Sequence, residues 1–326
     1  EVRSLIGAGR KNLIINGGFD VWQRGTSFTS AGYTADRWRI NLSGGTATTS
    51  RQEFTPGTEV ASSKYYAKFN VTTGNNYCDM RYAVEDVRTV AGKVVTLSFW
   101  ARGINPNGGN IGVNAYQSFG SGGSGDIDLA VQGVTITSSW TKYSLQFDVP
   151  SISGKTIGIN SHLTFYMGQP GLDTSTTAWS MDITGVQLEL GSVATDFEHR
   201  SFGEELALCQ RYYCSSFPAG INPANNTLFD NQGVAGWTTF TSTSARSPFI
   251  KYPVAMRTAP SLTLYNGSNV DGNGLWGIYT GAWDGSSAQS SEGTNKHFNV
   301  RINSGITATA NQSYLMRGNW TADAEL

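Results

Sequence analysis

Two runs of sequence decide the fold: Trp179-Ser-Met-Asp-Ile-Thr-Gly-Val-Gln-Leu-Glu-Leu-Gly191 and Glu204-Glu-Leu-Ala-Leu-Cys-Gln-Arg-Tyr-Tyr213. In the first run apolar and polar residues alternate, which is typical of a β-strand. The alternation slips by one residue at Gly185, and a glycine at such a slip predicts a β-bulge. We interpret this run as the strand that closes a β-sandwich.

The second run predicts a short amphipathic helix over residues 202–213. The sequence Ser201-Phe-Gly-Glu204 fits a capping box, with Ser201 as the N-cap and Glu204 reaching back to it. Apolar residues then recur at spacings of four, three and four, as one helical stripe requires: Phe202, Leu206, Cys209 and Tyr213. We favour a structural clasp between two domains over direct ligand contact for this helix.

The composition is typical of a protein built from short strands and tight turns. Glycine accounts for 39 of 326 residues, and charged residues make up 14%, against about 25% in typical soluble domains. The net charge is -1 without a basic stripe, so we expect no binding to nucleic acid. No apolar run approaches the length of a membrane span, so we expect no membrane insertion.

The spacing of strand-like segments and glycine-rich turns predicts an all-β fold with two domains. Residues 1–11 are a lead-in from a missing stalk or anchor, and residues 12–200 form a jelly-roll β-sandwich. Residues 201–214 form the linking helix, and residues 215–326 form a smaller C-terminal β-sandwich tip domain. Within that tip, residues 266–295 are predicted to be a long loop.

No group of residues predicts catalysis. The three histidines, His162, His199 and His297, lack a zinc-type spacing. The best pair of acids, Asp126 and Asp128, follows a flexible glycine loop, and we interpret both as solvated loop residues. The three cysteines cannot all pair, and reduced thiols suit assembly in a reducing cytoplasm.

Aromatic residues are the main candidates for binding, because sugar rings stack on tryptophan and tyrosine. Four tryptophans fall within strand patterns and are predicted to be core residues: Trp22, Trp38, Trp100 and Trp179. Five aromatic residues stand within two positions of Gly, Asn or Ser and are predicted to be exposed and to bind carbohydrate: Tyr77, Tyr116, Trp276, Tyr279 and Trp283.

The two ends of the first domain resemble carbohydrate-binding modules of families 4, 9 and 22. Asn12-Leu-Ile-Ile-Asn-Gly-Gly-Phe-Asp20 with Trp22 resembles their opening, and Ser180-Met-Asp-Ile-Thr-Gly-Val-Gln-Leu-Glu189 resembles their closing strand. The resemblance implies a jelly roll and a structural Ca²⁺ ion held by Asp20 and Asp182. No other cofactor is expected.

Three further segments resemble bacteriophage tail-fibre and other virion appendage proteins. They are residues 203–213, Pro253-Val-Ala-Met-Arg257 with Pro260, and the terminal Ala322-Asp-Ala-Glu-Leu326. This resemblance implies a non-enzymatic virion protein on a tail or other external appendage, assembled in the bacterial host cytoplasm. It also implies a homotrimer that contacts other virion proteins and recognises host surface polysaccharide or lipopolysaccharide without cleaving it.

Three other interpretations stay open at the level of the sequence. The chain could be a secreted carbohydrate-binding module of a polysaccharide-degrading enzyme, which an upstream catalytic domain would favour. It could be a tail-spike depolymerase, which needs a buried carboxylate pair in a groove. It could also be a head fibre or assembly protein without receptor contact.

Overall fold

A computed structural model describes the chain at residues 10–74, 77–105, 110–168, 177–227, 235–239, 241–267, 276–279, 283–284, 289–304 and 307–326. The chain divides into two compact units. The first contains the residues up to Trp22, Thr26–Glu205 and Leu326, and the second contains Gln23–Gly25 and Leu206–Glu325. Regular structure is almost entirely β-strand, which confirms the predicted all-β fold class.

The first unit is a sandwich of antiparallel strands. Its strands, as far as the structure describes them, are β1 Ser27–Phe28, β2 Gly32–Tyr33, β3 Trp38–Ser43, β4 Thr46–Glu53, β5 Tyr65–Thr73, β6 Tyr77–Glu85, β7 Val94–Ile104, β8 Ile111–Ser118, β9 Ile127–Asp128, β10 Gln132–Val134, β11 Thr141–Asp148, β12 His162–Gly168 and β13 Trp179–Leu190. A 3₁₀ turn lies at Val87–Thr89.

These strands form two sheets in the described residues. One has six strands in the order β1-β4-β5-β13-β7-β11, and the other has seven, in the order β10-β8-β12-β6-β3-β2 with β9 beside β8. Along each central strand, alternate side chains enter a common apolar core that includes Trp38, Phe69, Phe99, Phe165 and Leu188. The residues between them therefore lie on two outer faces, one for each sheet.

Three of the four tryptophans predicted as core residues are buried: Trp22, Trp38 and Trp179. The prediction is wrong for Trp100, which is only half-buried. Its neighbours Phe99 and Ala101 take the inward positions of β7, so strand alternation places Trp100 on the outer face of the six-stranded sheet.

The closing strand β13 contains the predicted bulge. Its register against β7 shifts between Thr184 and Gln187, and Gly185 has φ 60°, a left-handed conformation that favours glycine. The shift lets Val186 N–H donate to the Gly17 carbonyl at 2.9 Å. A side chain at Gly17 would collide with the Val186 carbonyl oxygen, 2.1 Å from the position of its Cβ.

The helix α1 runs from Phe202 to Gln210 and ends three residues earlier than predicted. It ends there because Tyr213 enters a strand that pairs with the chain terminus. Only half of the capping box forms: Ser201 Oγ accepts from Glu204 N–H at 3.4 Å. The Glu204 carboxylate forms an ion pair with Arg10 instead of reaching back.

The second unit is a smaller β structure. Its described strands are β14 Tyr213–Ser215, β15 Ala235–Thr239, β16 Ala245–Arg246, β17 Ile250–Lys251, β18 Ser261–Tyr265, β19 Gly277–Tyr279, β20 Trp283–Asp284, β21 Gln289–Gly293, β22 His297–Ile302, β23 Ser313–Arg317 and β24 Asn319–Asp323. They form a sheet in the order β14-β24-β18 and a second in the order β17-β22-β16-β15-β23-β19-β20, with β21 beside β22. The long loop predicted at 266–295 is therefore interrupted by three strands.

The three thiols, Cys78, Cys209 and Cys214, are buried and are not joined in disulfides. Within the described residues, no helix combines the length and the apolar character needed to cross a membrane.

Candidate carbohydrate-binding site

The outer face of the seven-stranded sheet carries a connected group of aromatic and charged side chains. On β6 the even-numbered residues, such as Met80 and Tyr82, enter the core. The odd-numbered residues, which include Asp79 and Arg81, therefore lie on the outer face. We call the group formed by Asp79, Arg81, Tyr116 and Tyr166 the tyrosine face.

Two tyrosines from neighbouring strands stack at the centre of this face. Tyr116 on β8 and Tyr166 on β12 have ring centroids 5.3 Å apart and ring planes only 13° from parallel. Tyr166 is paired in register with Asn114, so the two rings are diagonal neighbours on adjacent strands. His162 lies at the edge of the Tyr116 ring, with its Nε2 atom 3.4 Å from the Tyr116 hydroxyl.

Arg81 joins the tyrosine pair to a buried carboxylate. Its guanidinium lies 4.3 Å from the centroid of the Tyr166 ring, in cation–π contact. Its Nε and Nη2 atoms donate to the two carboxylate oxygens of Asp79 at 2.5 and 3.2 Å. This two-point contact fixes the plane of the guanidinium over the ring.

The electrostatics of the face follow from burial. Asp79 is fully buried, and burial raises the pKa of its carboxyl while the hydrogen bonds and charge of Arg81 oppose the shift. Burial, followed by a hydrogen bond with Tyr116, raises the pKa of the Tyr166 phenol, which therefore keeps its proton and can donate. Asp79 thus orients Arg81, while the tyrosines supply rings and hydroxyl groups.

Polar residues flank the group on both sides. Asn41 stands opposite Asp79, and Arg39 opposite Arg81, on the adjacent strand β3. Asn114 stands opposite Tyr166 on β8. The outer face thus combines aromatic rings, amides and a fixed guanidinium. The rings can stack on a sugar ring, and the amides and the guanidinium can form hydrogen bonds with its hydroxyls.

Two of the five predicted binding residues lie on this outer face. Tyr116 is part of the tyrosine face, and Tyr77 begins β6 with 46% of its surface exposed. The sequence interpretation missed Tyr166, Arg81 and Asp79. Alternation along residues 162–168 places Leu163, Phe165 and Met167 inward, and the same pattern would have placed Tyr166 outward.

The other three predicted residues belong to the second unit. The prediction of exposure is wrong for Trp276, which is fully buried and donates from Nε1 to the Asn319 carbonyl at 2.8 Å. Its ring packs directly on Gly318, where a Cβ would meet it at 2.1 Å. Tyr279 is 46% exposed. The side chain of Trp283 lies outside the described residues.

The two residues predicted to hold calcium have different environments. Asp182 accepts from Arg102 Nε at 2.9 Å, which already neutralises its charge. Burial, followed by the charge of Glu205, raises the pKa of Asp20 to about 6, and His199 and Lys64 oppose this rise. Among the residues that the structure describes, no cluster of three or more His, Cys, Asp or Glu is arranged to hold a metal ion. These surroundings do not fit a shared ion, and the calcium site stays an untested prediction.

A cavity of 1060 Å³ lies elsewhere in the first unit, away from the tyrosine face. Its described lining is charged, hydroxyl-bearing or aliphatic, without an aromatic ring. Arg88 and Asp86 form an ion pair there at 3.0 Å, and Thr195 donates to Glu189 at 2.6 Å. The tyrosine face, which offers aromatic rings, is therefore the stronger candidate for carbohydrate.

Comparison with known proteins gives the following likenesses. No protein-family profile and no curated protein sequence matches the chain. The chain is similar in structure to a protein from Bacteroides thetaiotaomicron VPI-5482 described as a sugar-binding protein, with 13% identity over 56% of this chain and 100% of that one, at a TM-score of 0.37.

Two further solved structures are also similar to part of the chain. The CBM22-2 xylan-binding domain of Xyn10C from Paenibacillus barcinonensis is 16% identical over 48% of this chain and 92% of its own, at a TM-score of 0.33. Tailspike protein 4 of bacteriophage CBA120 is 13% identical over 55% of this chain and 21% of its own, at a TM-score of 0.32.

Proposed function

We propose that this chain is a virion structural protein of a phage tail fibre or similar external appendage, and that its first unit binds a host surface glycan without cleaving it. The observation that carries the binding role is the tyrosine face. Tyr116 and Tyr166 offer stacked rings, and Arg81 is held over one of them by the buried Asp79.

The groups on this face are arranged before a ligand arrives. Arg81 has two hydrogen bonds to Asp79, so little side-chain freedom is lost when its outer edge meets a sugar hydroxyl or carboxylate. The rings of Tyr116 and Tyr166 are stacked on each other, which likewise limits the freedom of both side chains before a ligand binds. A preorganised face of this kind favours binding, and each ring that stacks on a sugar contributes about 1 kcal/mol.

Binding without turnover is the second part of the proposal. Hydrolysis of a glycosidic bond uses two carboxyl groups about 5 to 9.5 Å apart, one of them able to supply a proton. Asp79 is buried beneath the face and engaged by Arg81, which suits it to orienting that side chain rather than to acid catalysis.

The virion assignment and the partners rest on the sequence segments that resemble phage appendage proteins. On this proposal the protein is a homotrimer in the virion, where it contacts other virion proteins and presents its tyrosine face to polysaccharide or lipopolysaccharide. Light scattering should give a mass about three times 35.1 kDa. A stable monomer at micromolar concentration would contradict the trimer.

The binding role is tested by substitution on the face. Tyr116→Ala and Tyr166→Ala should each weaken binding to a glycan array, and to host cells, by about fivefold, since about 1 kcal/mol corresponds to a factor of about five. Phenylalanine at either position retains the ring and should retain most of the binding. Tyr279→Ala, an exposed tyrosine of the second unit, is the matched control for loss of an aromatic side chain.

The outcomes separate the alternatives. If the alanine variants bind as the wild type does, the tyrosine face is not the binding site. If only Tyr279→Ala loses binding, the glycan contacts the second unit. If binding is confined to plant cell-wall polysaccharides, the interpretation as a module of a polysaccharide-degrading enzyme is favoured over the virion assignment.

A further inference from the structure

We propose that the outer face of the six-stranded sheet carries a second saccharide-binding site, formed by Tyr66, Arg102, Trp140 and Asp182 with Phe54 beneath them. We call this group the tryptophan face. That its ligand is a saccharide rests on the proposed function, because both faces would bind glycans of the same host cell surface. Its location and its residues are independent of the tyrosine face.

Three aromatic rings meet on the solvent side of this sheet. Phe54 lies 4.8 Å from Tyr66 and 5.2 Å from Trp140, measured between ring centroids. Tyr66 and Trp140 lie 5.3 Å apart with their ring planes at 80°. Phe54 is buried, whereas Tyr66 and Trp140 are only half-buried, so two rings of the cluster contact water.

The cluster extends across the sheet. Tyr66 is on β5, and Trp140 immediately precedes β11, and these strands are separated by β13 and β7. Arg102, which is paired in register with Asp182 on the two intervening strands, lies beside both rings, with its guanidinium 5.7 Å from the Tyr66 centroid and 5.0 Å from the Trp140 centroid. Large rings that lie on the outside of a sheet, rather than in its core, form a surface on which the C–H face of a sugar ring can pack.

Arg102 has surroundings similar to those of Arg81, with an aspartate partner and a neighbouring aromatic ring, although one hydrogen bond rather than two joins it to the aspartate. Its Nε donates to Asp182 at 2.9 Å, and its guanidinium lies 5.0 Å from the Trp140 ring centroid. It remains 37% exposed, so the fixed guanidinium is accessible from solvent. The arrangement of an aspartate, an arginine and an aromatic ring thus occurs on both outer faces of one sandwich.

The charges of the tryptophan face indicate the kind of saccharide. Lys68 stands opposite Asp182 on β5 and is exposed. Its cation adds to that of Arg102, so these two cations and the single carboxylate of Asp182 give the named residues an excess positive charge. Asn70 and Ser180 are paired two residues further along the same strands. A sugar that bears a carboxylate, as a uronic acid does, is the best match for this set.

The test uses the full chain on a printed array of bacterial surface polysaccharides, lipopolysaccharides and plant cell-wall oligosaccharides, with neutral and uronic acid members. Trp140→Ala and Arg102→Gln should each weaken binding to uronic acid glycans about fivefold and leave the binding of neutral glycans to the tyrosine face unaffected. Trp140→Phe keeps a ring and is the matched control. Lys68→Ser removes only the exposed cation and should lower the uronic acid preference by severalfold.

Each result decides between the two sites. If Tyr166→Ala loses all glycan binding while Trp140→Ala and Arg102→Gln bind as the wild type does, the second site is overturned. The proposed function is then still supported. Loss confined to uronic acid glycans in the tryptophan-face variants supports it. If the wild type binds no glycan on the array, the proposed function fails, and the second site fails with it. If Trp140→Ala lowers the melting temperature strongly, Arg102→Gln and Lys68→Ser, which leave the rings intact, provide the deciding measurements.

Discussion

Asp20 offers a quantitative test of the electrostatics inside the first unit. Burial and the nearby charge of Glu205 raise the pKa of its carboxyl from the ordinary 3.8 to about 6 in the folded protein. Glu205 itself is anchored: its carboxylate accepts from Asn16 N–H at 2.5 Å and lies 3.2 Å from Arg200. Ionisation of Asp20 therefore places a second negative charge near the Glu205 carboxylate, which Asn16 and Arg200 hold in position.

The sign of the effect follows from proton linkage. The folded state binds the Asp20 proton more tightly than the unfolded state does, so this contribution to stability is present below about pH 4 and is lost as the pH rises to about 6. A shift of about two units corresponds to about 3 kcal/mol. Because Asp20 is partly exposed and water screens its charge, we expect about 2 kcal/mol.

Asp20→Asn removes this ionisation and should stabilise the protein at pH 7.5 but not near pH 4. For a unit of this size, about 2 kcal/mol corresponds to a rise in melting temperature of about 4 to 8 °C. The measurement is the difference in melting temperature between the variant and the wild type, recorded from pH 4 to pH 8. The tyrosine-face binding of the variant should not change.

An exposed acid provides the control. Asp128→Asn alters a solvated aspartate and should give a small, constant difference over the same range. If Asp20→Asn gives the same difference at pH 4 and pH 7.5, or lowers the melting temperature at pH 7.5, then burial and Glu205 do not act on Asp20 as described.

Three other changes have clear expected results. Glu205→Gln leaves the buried Arg200 without its charge partner and should lower the free energy of unfolding by about 3 kcal/mol or more, measured by urea unfolding; an unchanged midpoint would refute the buried pair. Trp276→Ala should cost about 3 to 5 kcal/mol through a cavity, yet leave glycan affinity per folded molecule intact. Since Asp182 is held by Arg102, millimolar Ca²⁺ should not change the melting temperature; a rise that Asp182→Asn abolishes would establish the calcium site.

The sequence predicted those features whose causes are local. The bulge at Gly185 could be located because a glycine and a change of alternation fall at the same position. The position of Tyr116 on an outer face agrees with the prediction made from the nearby Asn114 and Ser118, and its role in binding stays a prediction. The start of α1 at Phe202 likewise follows from the residues beside it.

The features that escaped prediction depend on partners distant in sequence. Trp276 stands among glycines and asparagines, and its burial results from Gly318 and Asn319, which the fold brings against it. Asp182 matches a calcium-binding position in the closing strand of the carbohydrate-binding modules that the sequence resembles. In the fold it forms an ion pair with Arg102, which is 80 residues away in sequence. Single-sequence periodicity contains no information about such pairings.

The same limit applies to the two proposed sites. Strand alternation shows which residues are on an outer face, but the neighbours within that face follow from sheet order. Tyr166 meets Arg81 because β12 lies beside β6, and Tyr66 reaches Trp140 across two strands. Neither pairing could be derived before the order of the strands was known.

The contact between the opening turn and the bulge of β13 has a consequence for how the protein is made. Leu13 N–H donates to Leu188 and Val186 N–H donates to Gly17, so the first and last segments of the sandwich hold each other. On a ribosome, the opening segment emerges long before its partner is translated. The nascent sandwich therefore has to remain open until residues near 190 have left the exit tunnel. Pairing of segments so distant in sequence is slow. Until it is complete, the chain is most exposed to aggregation and proteolysis.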